Sequence, residues 1–122
     1  MVNWNNLYKI RLNNYEDSFA KHEIVKLLIV KNILLKYNSK KKYQEVYTEF
    51  PITEGKVTDV YHENHLTKEV YCYEVQSRIS KEWIEETTQK YKDKEIDWIL
   101  VDLSKLSNDI DKLNKEVKEL IC

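Results

Sequence analysis

Two acids stand inside apolar, strand-like runs of this chain. Val57-Thr58-Asp59-Val60-Tyr61 carries one, and Val70-Tyr71-Cys72-Tyr73-Glu74-Val75-Gln76 carries the other, fifteen residues on. Strand side chains alternate between faces, so Cys72, Glu74 and Gln76 share one face and Tyr71, Tyr73 and Val75 the other. A carboxylate in such a run is costly to bury without a partner. Two carboxylates on adjacent strands repel, and a divalent cation relieves the repulsion. The pattern points to a metal-binding pair, Asp59 and Glu74, with Gln76 beside it. Gln76 has no accessible pKa and cannot be a base, but its amide can hold a water or a phosphate oxygen. The competing reading is a wet sheet face on which both acids are solvated.

Glu23 interrupts an apolar helical stripe, four residues after Phe19 and four before Leu27. It is either a helix-rim residue with its charge in water, the reading the pattern slightly favours, or a third acid of the same centre. His22 reads as a surface or boundary residue. His62 and His65 have no third ligand at zinc spacing, and Cys72 does not make one. No glycine-rich phosphate loop, serine-nucleophile elbow or His-Glu-x-x-His motif is present.

The elements that must position these residues follow from periodicity. A helix is predicted from residue 17 or 18, capped by Asp17 or Ser18, to about 37. Its stripe is Phe19, Leu27, Val30 and Leu34, widened by Ile24, Leu28 and Leu35. Strands are predicted over 43–52, ended by Pro51, then over 56–62 and 70–76, with turns at 54–56 and 63–68. Ser80 caps a helix over 81–92 with Ile84, Thr87, Thr88 and Tyr91 on one face. A short apolar strand follows at 97–103, then an amphipathic helix over 105–121 with the stripe Leu106, Ile110, Leu113, Val117 and Leu120. Residues 1–15, with Trp4, Leu7, Tyr8, Ile10 and Leu12, would be a short helix or an arm. The fold class is α/β: a mixed sheet of about four strands flanked by helices, in the order α-β-β-β-α-β-α. The fourth strand is parallel to the third, through a right-handed crossover.

With 122 residues and a net charge of −1, the chain fits one domain with one core and is not a globally basic nucleic-acid coat. No apolar run is long enough to span a bilayer, and the N-terminus lacks a signal-peptide pattern, which leaves the cytoplasm as the expected location. Cys72 and Cys122 give no disulfide framework; Cys72 is expected in the core and Cys122 in a tail. Lys31, Lys36, Lys40, Lys41 and Lys42 form an acid-free segment, either a phosphate-facing patch or a solvated loop. Tyr37, Tyr43 and Tyr47 among them would stack bases or, more commonly, pack.

An acid-bearing helix, an Asp on one strand and Glu-x-Lys on the next resemble the PD-(D/E)XK nucleases; here the elements are Thr58-Asp59 and Glu74-Val75-Gln76. The competence-associated CoiA-like branch is the most similar. Its helical Ser-x-x-His or Glu-His element looks like Ser18 to Glu23, and its Asp-Val strand like Asp59-Val60. Its Glu-x-Gln and Ser-x-Ile-Ser look like Glu74 to Ser80, its helix end like Thr87 to Tyr91, and its Trp-Ile-Leu strand like Trp98 to Leu100. The resemblance covers roughly residues 18–103. It departs at Gln76, where the superfamily usually has Lys, and at Thr87, where the branch has Arg.

The resemblance implies metal-dependent hydrolysis of DNA phosphodiester bonds, with branched or single-stranded DNA as candidate substrates. Asp59, Glu74 and the Val75 carbonyl would hold Mg2+ or Mn2+, Gln76 would orient water, and Glu23 would assist. Lys40, Lys41, Lys42, Lys56 and Thr87 would meet the DNA. The alternatives are a non-cleaving nucleic-acid-binding or assembly protein on the same fold, and a homodimer or interaction module using the C-terminal stripe. That stripe is expected to pack on its own sheet.

Overall fold

The structure is a computed structural model that describes residues 17–92, 94 and 96–122, with side chains from residue 20 onward. The expected arm over 1–15 lies outside the described residues, as do the side chains of Asp17, Ser18 and Phe19. The element order is α1 (Asp17–Lys36), a 3-10 turn (Asn38–Tyr43), β1 (Gln44–Thr53), β2 (Lys56–Asn64), β3 (Glu69–Gln76), α2 (Lys81–Lys92), β4 (Asp97–Asp102), a second 3-10 turn (Leu103–Lys105) and α3 (Ile110–Leu120). The sheet order is β1-β2-β3-β4, antiparallel across the first three strands and parallel between β3 and β4. This is the expected α/β mixed sheet.

Local chemistry explains the boundaries. Gly55, at φ +76, makes the β1–β2 turn. Asn64 makes the next one, its Oδ1 accepting from the amides of Leu66 and Thr67. Ser80 Oγ accepts from Trp83 N and caps α2. Pro51 does not end β1, which runs on to Thr53. β1 is an edge strand, where a missing N–H is tolerated. The last helix starts at Ile110 rather than at 105, because Asp109 accepts from the amides of Asp111 and Lys112 and fixes the cap there.

One face of the sheet packs on α1 and α3. Val25, Leu28, Ile29, Val30 and Ile33 of α1 meet Val46, Val60, Tyr73, Val75 and Val101 of the sheet and Leu113, Val117 and Ile121 from the α3 region. The stripe expected on α1 is thus rotated: Leu27, Leu34 and Leu35 are exposed. A helix apolar nearly all round does not fix its own rotation. Here the buried side also takes Glu23, Lys26 and Asn32 because each finds a polar partner; Asn32 Nδ2 donates to Leu28 O and to Asn114. The C-terminal stripe is consumed within the chain, except that Ile110 is exposed. Leu113→Ala is expected to cost about 2–4 kcal/mol and Ile110→Ala less than about 0.5, measured by urea denaturation.

The other face is covered over β3 and β4 by α2. Tyr91 stacks on Trp98, and Trp83 meets Trp98 edge-on. The buried members of α2 are Thr87 and Tyr91, whereas Ile84 and Thr88, expected beside them, are exposed. Two large rings, Trp83 and Tyr91, set the rotation instead of the small apolar stripe.

Candidate active site

The β2–β3 pairing runs from Asn64↔Glu69 to Val60↔Tyr73 and stops there. Alternation on β2 breaks at the same place: Val60 lies in the core, while the Thr58 hydroxyl interacts with Cys72 and Tyr91 on the α2 side. Opposite this break on β1, Glu49 adopts φ +49, a left-handed conformation that a non-glycine residue holds only at a cost of about 1–3 kcal/mol. Beyond the last pair the strands separate. Asp59 fills the opening: its Oδ2 accepts from Val75 N at 2.8 Å. A strand residue directs its N–H and C=O to the same neighbour, so the Val75 carbonyl faces this gap too.

Glu74 is 7% exposed and needs partners. It has two, both on α2 and both at Oε1: the Lys90 ammonium, at 2.5 Å, and the Tyr91 hydroxyl. Burial raises its pKa above the ordinary value; Lys90 and Tyr91 oppose this, and the Asp59 charge adds to it. Burial and the Glu74 carboxylate also hold the Tyr91 phenol far above its usual pKa, so it remains a donor. Lys90 donates as well to Val57 O, tying α2 to β2.

From the other side α1 delivers a chain of contacts to Asp59. Lys26 Nζ lies 3.0 Å from Glu23 Oε1, His22 Nδ1 lies 2.7 Å from Glu23 Oε2, and His22 Nε2 lies 3.5 Å from Asp59 Oδ1. Glu23 is buried, not at the helix rim with its charge in water. The cause is Lys26, itself buried three residues on, which supplies the compensating charge. Asp59 first, and then Glu23, raise the His22 pKa above 6.5 against the opposing effect of burial. The imidazolium therefore stabilises the fold fully below pH 6.5, and this contribution is lost as pH rises through the raised value. The melting temperature of wild type is expected to fall more steeply than that of His22→Gln between about pH 6 and about pH 8.

Comparison with family models, with curated proteins and with solved structures finds no match to this chain.

The remaining candidates divide by position. Gln76 shares the Glu74 face but turns away, its amide nitrogen donating to Arg78 O. Lys56 and Thr87 line an open groove of about 710 Å3 between the β1–β2 turn and α2, together with Trp83, Lys90 and the two acids Glu85 and Glu86. Lys40, Lys41 and Lys42 are exposed on the 3-10 turn before β1, at the end of the sheet away from Asp59. The five residue steps along β1 from Gln44 to Glu49 alone span roughly 16 Å, beyond a Debye length at physiological salt. His62 is buried on the helix side, its pKa lowered to about 4 by burial and by Lys36. His65 is exposed between Glu45 and Glu63 at 3.2 and 2.9 Å, so the two histidines share no site. Among the described residues, Glu45, Glu63 and His65 are the three groups whose ligand atoms lie within 4.8 Å of one another. Cys72 and Cys122 are unbridged, and burial pushes the Cys72 thiol up to about 11.

Lys90 is the residue that sequence reasoning missed. Its signal was weak: it stands beside Tyr91 in the helix segment that carries the resemblance, but only the fold shows that it reaches Glu74. Among the described residues no helix is long and apolar enough to cross a membrane.

Proposed function

We propose that this chain is a divalent-cation-dependent DNA nuclease centred on Asp59 and Glu74. The observation that carries this reading is the hydrogen bond from the Val75 amide to Asp59, which brings Asp59 to the residue next to Glu74. Two carboxylates and a strand carbonyl beside a gap are hard oxygen donors of the kind that suit Mg2+ or Mn2+. Both hydrogen bonds to Glu74 go to Oε1, which leaves Oε2 for a cation. Asp59, Glu74 and the Val75 carbonyl would hold the ion, which when bound supplies a Lewis acid and a water of lowered pKa.

The chain's own groups do the positioning. Lys90 and Tyr91 fix the Glu74 carboxylate, and Lys90, on the groove wall, offers its charge to an incoming phosphate. Glu23 acts at one remove, orienting His22 against Asp59. Lys56 lies along the approach. Lys40, Lys41 and Lys42 contribute at most a long-range attraction. In the reaction the water oxygen bonds to phosphorus, its proton is lost to solvent, and the ester P–O bond breaks with the leaving oxygen reprotonated.

Single-stranded, branched and duplex DNA incubated with Mg2+ or Mn2+ should show cleavage of at least one form, abolished by EDTA. No cleavage of any form refutes the reading. One observation favours a non-cleaving nucleic-acid-binding protein instead: Glu74 is already neutralised by Lys90, and Gln76 is turned away. A mobility shift without cleavage selects that reading.

A further inference from the structure

Glu45 and Glu63 face each other across the β1–β2 ladder. Like charges in directly opposed positions destabilise a sheet unless something lies between them. Here that group is His65, from the turn after β2. Its Nε2 lies 3.2 Å from Glu45 Oε2 and 2.9 Å from Glu63 Oε2. An imidazole nitrogen carries at most one hydrogen, which makes one linear hydrogen bond, so two oxygens close to it are more than hydrogen bonding explains. Even a protonated ring balances only one of the two charges. A dication balances both. The spacing fits one: at metal–ligand distances of about 2.0–2.2 Å, neighbouring ligands of a single ion stand roughly 2.9–3.5 Å apart. All three ligand atoms lie within 4.8 Å of one another.

Groups outside the three hold them in place. The Tyr61 hydroxyl donates to Glu63 Oε1 at 2.9 Å, which orients the carboxylate and leaves Oε2 directed at His65. Burial first, and then that bond to Glu63, keep the Tyr61 phenol above its usual pKa, so it remains a donor. His65 N donates to Tyr43 O at 2.8 Å, and this pins the turn to the start of β1. Among the described residues neither acid pairs with a lysine; Lys42 lies over the Tyr43 ring instead, 5.0 Å from its centroid. Lys40, Lys41 and Lys42 are exposed, where salt screens them. The four residue steps along β2 from Glu63 to Asp59 span roughly 13 Å, so this cluster is separate from the gap beside Val75.

We propose that Glu45, Glu63 and His65 form a Zn2+ site that fastens β1 to β2 and to the turn leading into β3. The imidazole nitrogen selects the metal: it suits Zn2+, whereas Mg2+ prefers oxygen donors alone. Three protein ligands leave room for water to complete the coordination at this exposed position. The expectation that His62 and His65 lack a third ligand holds for those two together; the companions of His65 are Glu63, two residues earlier on β2, and Glu45 across the ladder. The site does not depend on the nuclease reading.

The test is calorimetric titration of the untagged, metal-free full chain with Zn2+ alone, followed in parallel by NMR of the histidine rings. Wild type is expected to bind one Zn2+ saturably and to shift the His65 ring resonances, identified by their loss in His65→Gln. Glu45→Gln, Glu63→Gln and His65→Gln should each weaken binding by at least ~10-fold, and Tyr61→Phe, which removes only the outer hydroxyl, by about 10-fold. These positions lie at the surface or its edge, so the variants should fold. Asp59→Asn should bind Zn2+ here as wild type does, which separates this site from the Asp59–Glu74 gap. Mg2+ in about tenfold excess should not displace the Zn2+. Absence of saturable binding below ~1 mM Zn2+ overturns the proposal. Binding that Glu63→Gln and His65→Gln leave unchanged, or that Asp59→Asn abolishes, places the ion elsewhere and overturns it too.

Discussion

Asp59→Asn is expected to abolish cation-dependent cleavage, with a loss of at least about 10³-fold, while the protein stays folded. The amide oxygen of Asn can still accept from Val75 N, so the bond that closes the gap between β2 and β3 survives. What disappears is one of the two charges that would hold the cation. A second readout is independent of cleavage. Asp59 is the largest influence raising the His22 pKa, so this value should drop toward 6.5 in Asp59→Asn, followed by NMR of the imidazole. Cleavage within about tenfold of wild type would show that Asp59 holds no essential ion.

Lys26→Met should have the largest effect on stability of any single change in α1, about 3–5 kcal/mol. The Lys26 ammonium and the Glu23 carboxylate are both buried, 3.0 Å apart. Removing one partner leaves the other charge in a low-dielectric interior with one compensating contact fewer. The urea midpoint should fall with little change in the slope. The double change Glu23→Gln with Lys26→Met should recover much of the loss, since no buried charge is then left uncompensated. A loss below about 1 kcal/mol in the single variant would mean that the pair is more hydrated than its burial indicates. Because Glu23 also contacts His22, Lys26→Met should disturb the His22–Asp59 contact as well.

The strands were legible because their signals are local. Gly55 turns the first hairpin, Asn64 the second, and Val, Tyr and Ile fill the strands between. The approach of Asp59 to the Glu74 strand was legible for the same reason: hairpin spacing places it beside Val75. The rotation of α1 was not, since its leucines surround the helix and the deciding contacts, Lys26 with Glu23 and Asn32 with Asn114, depend on side chains in space. The start of α3 was misplaced because Leu106 fits the apolar stripe, whereas the Asp109 cap overrides it. Lys90 is one of many lysines in the sequence, and only the crossover of α2 over β3 distinguishes it. The left-handed Glu49 carries no sequence mark at all, because turn-prone residues are absent there and tertiary packing imposes the conformation.

Anomalous diffraction from a crystal soaked in Mn2+ asks whether Asp59 and Glu74 share a cation. A peak is expected in the gap between β2 and β3, within about 2.5 Å of oxygens from Asp59, Glu74 and the Val75 carbonyl. A peak only at Glu45, Glu63 and His65, or none at all while Lys90 keeps its place on Glu74, would contradict it.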